Sequence, residues 1–138
     1  MLQLYFLSVA VNMLAGTILA SDWLARKFSG IGGLTDGLSS RRGKLAIGLS
    51  SLIVGFVTLF FPAAPPILVG DLAPSLAGLA MGVALLFEVL RLEALFPAER
   101  ADGTERQARA PSGYRTTLGL LGLAAALVHF FLPERLIL

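Results

Sequence analysis

The feature that most constrains this chain is an apolar run over residues 45–61, which contains no charged residue and lies between Lys44 and Pro62. Three more such runs cover residues 2–20, 72–87 and 116–132. Of the 138 residues, 56% are hydrophobic and 14% are charged, whereas about a quarter are charged in an average soluble domain. Lipid is therefore the expected solvent for most of this chain.

The apolar runs are continuous rather than alternating, and they are longer than the roughly ten residues of a membrane β-strand, so they favour helices. The second and the fourth run, of 17 residues each, are at the short end of the length that crosses the hydrocarbon core. We predict an all-α membrane protein of one domain, residues 1–138, with four transmembrane helices over about residues 2–21, 45–61, 72–92 and 116–132.

Basic residues are confined to two of the connections between these helices. All but one of the 11 lysines and arginines lie within residues 21–44 or 88–115, and the short connection over residues 62–73 carries none. By the positive-inside rule, the loops over about residues 22–44 and 93–115 are predicted to be cytoplasmic. Both termini and the short connection are then predicted to lie outside.

The second half of the chain repeats the first. Between the second and the fourth run, a basic residue, a stripe of small residues and a closing proline recur at an offset of 71, so that Lys44 matches Arg115. Between the first and the third run the offset is 66, so that Asp22 matches Glu88. Two tandem two-helix repeats would share one orientation, because two helices return the chain to its starting side. The alternative is a chance alignment of glycine-rich apolar helices, against which the matching charges and prolines argue.

Small residues recur at every third or fourth position and predict close packing between helices. The predicted packing positions are Gly16, Gly48, Gly55, Gly78, Gly82, Gly119 and Gly122. The sequence leaves open whether they pack within one chain or between chains, and the small size of the unit favours a homo-oligomer or a larger membrane complex. The glycine spacing with its terminal proline is similar to that of several families of small bacterial four-helix membrane proteins, which implies the bacterial cytoplasmic (inner) membrane.

Polar residues in or beside the predicted helices are candidate functional positions: Asn12, Asp22, Lys44, Glu88, Arg115 and His129. The two carboxylates could line a cation or proton pathway. The favoured interpretation is that they form ion pairs between helices, Glu88 with Arg91 or Arg115 and Asp22 with Arg26 or Lys44. For Asn12 and His129 the favoured role is a hydrogen bond between helices.

A glycine-rich stretch over residues 30–37 precedes Arg41, Arg42 and Lys44. It is not a Walker motif, because Leu45 stands where that motif needs Ser or Thr. These three basic residues could contact the head groups of membrane lipids or an acidic partner, although a flexible loop is the favoured interpretation. Positive and negative charges balance in the second loop, so no nucleic-acid partner is expected.

The sequence contains no nucleophile–base pair and no cofactor fingerprint, and one histidine with no cysteine provides too few ligands for a metal. We therefore expect no cofactor, no metal and no enzymatic activity. The favoured function is an accessory, scaffold or assembly subunit that works through small-residue helix packing. The alternative is a small, oligomeric ion or solute transporter or channel, with the intramembrane carboxylates on its path.

Overall fold

The structure, a computed structural model, describes residues 2–28, 30, 32–61, 72–95 and 112–131. These residues form six helices and no strand: α1 (Leu2–Leu19), α2 (Ser21–Lys27), α3 (Gly32–Leu38), α4 (Arg41–Phe60), α5 (Leu72–Leu95) and α6 (Ser112–Phe131). Helices α4, α5 and α6 are each long and apolar enough to cross a membrane, and α1 becomes so together with α2. The predictions of an all-helical chain and of membrane-length apolar helices are confirmed for this part of the protein.

The prediction of a loop over residues 22–44 is wrong, because helices α2 and α3 and the first turn of α4 occupy most of it. Helix α2 is bent by 77° from α1 at Ala20. In α3, Thr35 is buried and Leu38 packs against the core of the bundle. A seven-residue helix makes only about two turns, too few for an apolar period to be recognised in the sequence.

Helix α4 begins at Arg41, four residues before the start predicted from the apolar run. The hydroxyl oxygen of Ser40 accepts a hydrogen bond from the backbone N–H of Gly43 at 3.1 Å, and this N-cap fixes the first turn. Helix α5 continues to Leu95 and α6 begins at Ser112. The rest of the second predicted loop and the outer connection up to residue 71 lie outside the described residues.

The helices pack in two close pairs. Helix α4 makes its most extensive contact with α5, α6 makes its most extensive contact with α1, and α1 also contacts α5 in the middle of the bundle. The core lies between α1 and α5, where Ile18, Leu19, Met81 and Leu85 are at most 1% exposed. Large apolar side chains also cover the outside of every long helix. A helix that is apolar on both its inner and outer faces suits a lipid environment.

Candidate functional site

Four of the candidate polar residues meet at one end of the bundle, and we call them the charge cluster: Asp22, Lys44, Glu88 and Arg115. Lys44 Nζ lies 3.0 Å from Glu88 Oε2. Arg115 contacts the other oxygen of Glu88 through Nε and lies 3.6 Å from Asp22 Oδ2 through Nη1. The cluster therefore joins α2, α4, α5 and α6 through their side chains.

The charges in this cluster balance, since two carboxylates face two cations. The side chains of Lys44, Glu88 and Arg115 are 12–15% exposed, whereas that of Asp22 is 34% exposed. A charge this far from solvent is tolerated when an opposite charge compensates it. The sequence anticipated the pairing of Glu88 with Arg115, but it did not anticipate that Lys44 also reaches Glu88 or that Arg115 reaches Asp22. The side chain of Arg91 lies outside the described part of the chain.

Two close contacts between glycines hold the helix pairs together. An added Cβ on Gly119 would lie 2.7 Å from the carbonyl oxygen of Gly16 and 2.6 Å from the backbone nitrogen of Ala20. An added Cβ on Gly82 would lie 2.9 Å from the carbonyl oxygen of Gly48. Because real Cβ atoms do not approach other atoms this closely, the backbones of α1 and α6, and those of α4 and α5, touch only where glycine is present.

The other packing glycines also face neighbouring helices of the same chain. Gly55 faces the carbonyl oxygen of Ser75, Gly78 faces the side chain of Asn12, and Gly122 faces the side chain of Met81. All seven glycines singled out in the sequence therefore serve contacts within one chain.

A second group of polar residues is buried further along the bundle, away from the charges. Asn12 Nδ2 donates to the carbonyl oxygen of Pro74 at 2.9 Å, and Ser51 Oγ donates to that of Gly78 at 2.8 Å. The hydroxyl oxygens of Thr58 and Ser75 lie 2.8 Å apart. Asn12 thus makes the predicted interhelical hydrogen bond. Sequence reasoning missed Ser75, for which a lone serine beside a proline is too weak a signal.

His129 lies near the opposite end of α6 from the charge cluster. The Tyr5 hydroxyl donates to the backbone carbonyl of His129 at 2.6 Å, and the two rings lie 4.7 Å apart between their centroids. His129 is buried. Within the described residues, no group of three or more His, Cys, Asp or Glu side chains is placed to hold a metal ion.

An apolar layer separates the buried polar residues from the charge cluster. Along α1 it comprises Ala15, Ile18 and Leu19, between Asn12 and Asp22, and along α5 it comprises Met81, Ala84 and Leu85, between Gly78 and Glu88. Along α1 and α5 the two polar regions are therefore separated by apolar side chains.

The three basic residues proposed as head-group contacts are placed differently. Arg41 and Arg42 are exposed in the first turn of α4, whereas Lys44, one turn further, belongs to the charge cluster.

A protein-family model matches residues 1–129 of the chain. Comparison with curated proteins and comparison with solved structures each gave no match.

Proposed function

We propose that this chain, which belongs to the family whose model matches residues 1–129, is a non-catalytic multi-pass membrane subunit that works by association. The observation that carries this proposal is that the four residues of the charge cluster face one another within the chain. Groups paired in this way contribute to holding the helices together, whereas catalysis requires a group that is free to meet a substrate. The surface left for function is then the apolar outside of the bundle.

We propose in addition that the bundle consists of two tandem two-helix repeats. Two contacts that are equivalent under the repeat support this: Gly16 against Gly119, and Gly82 against Gly48. Gly16 and Gly82 differ by the offset of 66, and Gly48 and Gly119 by the offset of 71. The closest approach of α1 to α6 thus uses the same repeat positions as the closest approach of α5 to α4.

The charge cluster follows the same relation. Lys44 with Glu88 joins α4 to α5, and Arg115 with Asp22 joins α6 to α2, at the end of α1. Exchanging the halves converts one ion pair into the other, because Lys44 corresponds to Arg115 and Glu88 to Asp22. Chance alignment of apolar sequences would not bring corresponding charges into corresponding contacts, so this match supports a duplicated hairpin with a pseudo-twofold axis along the bundle.

The proposed location is the bacterial cytoplasmic membrane, with both termini outside and the charge cluster at the cytoplasmic end. The chain has no cysteine, so labelling of a single introduced cysteine reports the side of the membrane on which that residue lies. In spheroplasts, a membrane-impermeant maleimide should label Gln3→Cys directly and Asp36→Cys only after lysis, since the native residues at both positions are exposed. Labelling of Asp36→Cys in intact spheroplasts would reverse or refute the proposed topology.

Association predicts that the outside of the bundle contacts protein in the cell as well as lipid. Each long helix carries an exposed phenylalanine: Phe6 on α1, Phe56 on α4, Phe87 on α5 and Phe131 on α6. Replacing them one at a time by the photo-crosslinker benzoylphenylalanine preserves the ring and probes four faces of one bundle. We expect one or two of these positions to form a protein adduct on irradiation, identified by mass spectrometry.

The four positions serve as controls for one another, because a specific interface covers some faces and leaves the others to lipid. An adduct of the chain with itself would identify a homo-oligomer, and an adduct with another membrane protein would identify the accessory role. If none of the four positions yields a protein adduct in cells, the association proposal is wrong.

A small transporter is the second candidate, and the buried polar residues Asn12, Ser51 and Ser75 favour it. These residues lie on one side of the apolar layer and the charge cluster lies on the other. Transport between the two would therefore require that layer to open. A proteoliposome flux that the double variant Glu88→Gln, Asp22→Asn abolishes would support this candidate. Flux that survives in the double variant would remove these carboxylates from the path.

A further inference from the structure

We infer that four basic residues at the end of the bundle, Arg26 and Lys27 of α2 with Arg41 and Arg42 of α4, bind the head groups of anionic phospholipids. We call these four residues the basic face. In this arrangement α2 lies along the membrane surface. The inference rests on the membrane insertion proposed above, and it adds a lipid class and a binding surface to it.

The bend between α1 and α2 gives the orientation. If α1 crosses the bilayer near the normal, a bend of 77° places α2 almost in the membrane plane. On this short helix Trp23 is half-buried, and Phe28, which follows Lys27 directly, is 53% exposed. Aromatic side chains next to basic ones, on a helix in the membrane plane, are typical of the region where head groups meet acyl chains.

The charge cluster places both parts of the basic face at the same end of the bundle. Asp22, in the first turn of α2, lies near Arg115, and Arg115 contacts Glu88, which pairs with Lys44 of α4. Arg41 and Arg42 precede Lys44 by two to three residues, which places them roughly 3–5 Å further along the helix axis, beyond the cluster. The basic face therefore lies just outside the layer in which the charges are paired.

Among the described residues of α2, α3 and the first turn of α4, the net charge is positive after the cluster has been balanced. The exposed charged residues of α2, α3 and the first turn of α4 are the four members of the basic face and Asp36. Two arginines at the start of α4 oppose the helix dipole, so the stability of the helix does not account for them. Their position suits lipid phosphates, since a basic residue near an anionic membrane surface contributes about 1 kcal/mol of binding.

Trp23 provides the measurement, because it is the only tryptophan in the chain and lies in α2. The full-length protein is reconstituted into vesicles of phosphatidylcholine and phosphatidylglycerol in which one lipid or the other is brominated, at equal mole fractions. Quenching of Trp23 by brominated phosphatidylglycerol is expected to exceed quenching by brominated phosphatidylcholine. High salt should reduce the difference.

The double variants Arg26→Gln, Lys27→Gln and Arg41→Gln, Arg42→Gln should each lower the relative affinity for the anionic lipid about 25-fold, at about fivefold for each charge removed. The matched control Arg26→Lys, Lys27→Arg keeps both charges and should keep the preference. Asp36→Asn should increase it. Circular dichroism of each variant checks that the helices are retained.

Equal quenching by the two brominated lipids in the wild-type protein would overturn the inference while leaving membrane insertion intact. Absence of quenching by either lipid would show that Trp23 lies away from the acyl chains, and would overturn the position of α2 along the membrane surface. Inorganic phosphate, added against chloride of the same ionic strength, should leave the preference unchanged. Loss of the preference with phosphate would indicate a site for free anions and would contradict the assignment to lipid.

Discussion

Gly119→Leu is expected to unfold the packed bundle, lowering the free energy of unfolding by about 3 kcal/mol or more, at the upper end of the cost of overpacking. The added Cβ would meet the backbone nitrogen of Ala20 at 2.6 Å and the carbonyl oxygen of Gly16 at 2.7 Å. These are backbone atoms of the facing helix, so no change of rotamer relieves the contact and α1 must move away from α6. Reversible unfolding in mixed micelles, followed by circular dichroism, measures the loss.

Gly113→Leu is the matched control, because it makes the same substitution on the same helix at a position where an added Cβ meets no described group of another helix within 4 Å. Both variants gain the helix propensity of leucine over glycine, up to about 1 kcal/mol. The two variants differ in that Gly119 lies where α1 and α6 approach each other closely, whereas Gly113 does not. Gly82→Leu should be as destabilising as Gly119→Leu, since its Cβ would meet the backbone of α4 at 2.9 Å. A Gly119→Leu protein as stable as Gly113→Leu would show that α1 and α6 do not pack at this point.

The glycine contacts illustrate what could be predicted from the sequence. Regular spacing identified Gly16, Gly48, Gly82 and Gly119 as packing positions, because small residues are repeated on one face of each helix. Spacing carries no information about the partner helix, however. The pairing of Gly16 with Gly119 and of Gly48 with Gly82 depends on how the four helices are arranged, which no local pattern specifies.

The candidate site was predictable to a similar degree. The position of Asp22 and Glu88 near the ends of apolar runs, with Lys44 and Arg115 at a similar depth, was sufficient to predict ion pairs between helices. The sequence could not show that Arg115 reaches both carboxylates. That depends on the bend at Ala20, where α1 ends and a separate helix begins, within a segment whose charges and glycines resemble those of a loop.

Arg115→Met should be the most destabilising single neutral substitution in the charge cluster. Arg115 faces both Glu88 and Asp22, and its side chain is 12% exposed, so its removal leaves one cation, Lys44, among the residues of the charge cluster. Removing one partner of a buried ion pair costs about 3–5 kcal/mol. We expect about 2–3 kcal/mol here, because Asp22 is 34% exposed and water compensates part of its charge.

Lys44→Met should cost less, since Lys44 faces Glu88, which keeps its contact with Arg115. Arg115→Lys should fall between wild type and Arg115→Met, because a single ammonium group keeps the charge but cannot reach two carboxylates with separate nitrogens. The same unfolding measurement in micelles ranks the three variants. Equal losses for Lys44→Met and Arg115→Met would show that Arg115 has no special position between the halves.

A double-mutant cycle separates the uncompensated charge from the loss of packing. If Arg115→Met destabilises the bundle by taking a cation away from Asp22, adding Asp22→Asn should recover part of the loss, since Lys44 and Glu88 then still form a balanced pair. Adding Ser50→Ala instead, at an exposed position of α4, should recover nothing. Recovery with Asp22→Asn would mean that the ion pair between Arg115 and Asp22 helps to hold the two halves together at this end. An unchanged loss would mean that the charge of Asp22 has no part in the effect of Arg115, and this ion pair would then have no part in joining the repeats.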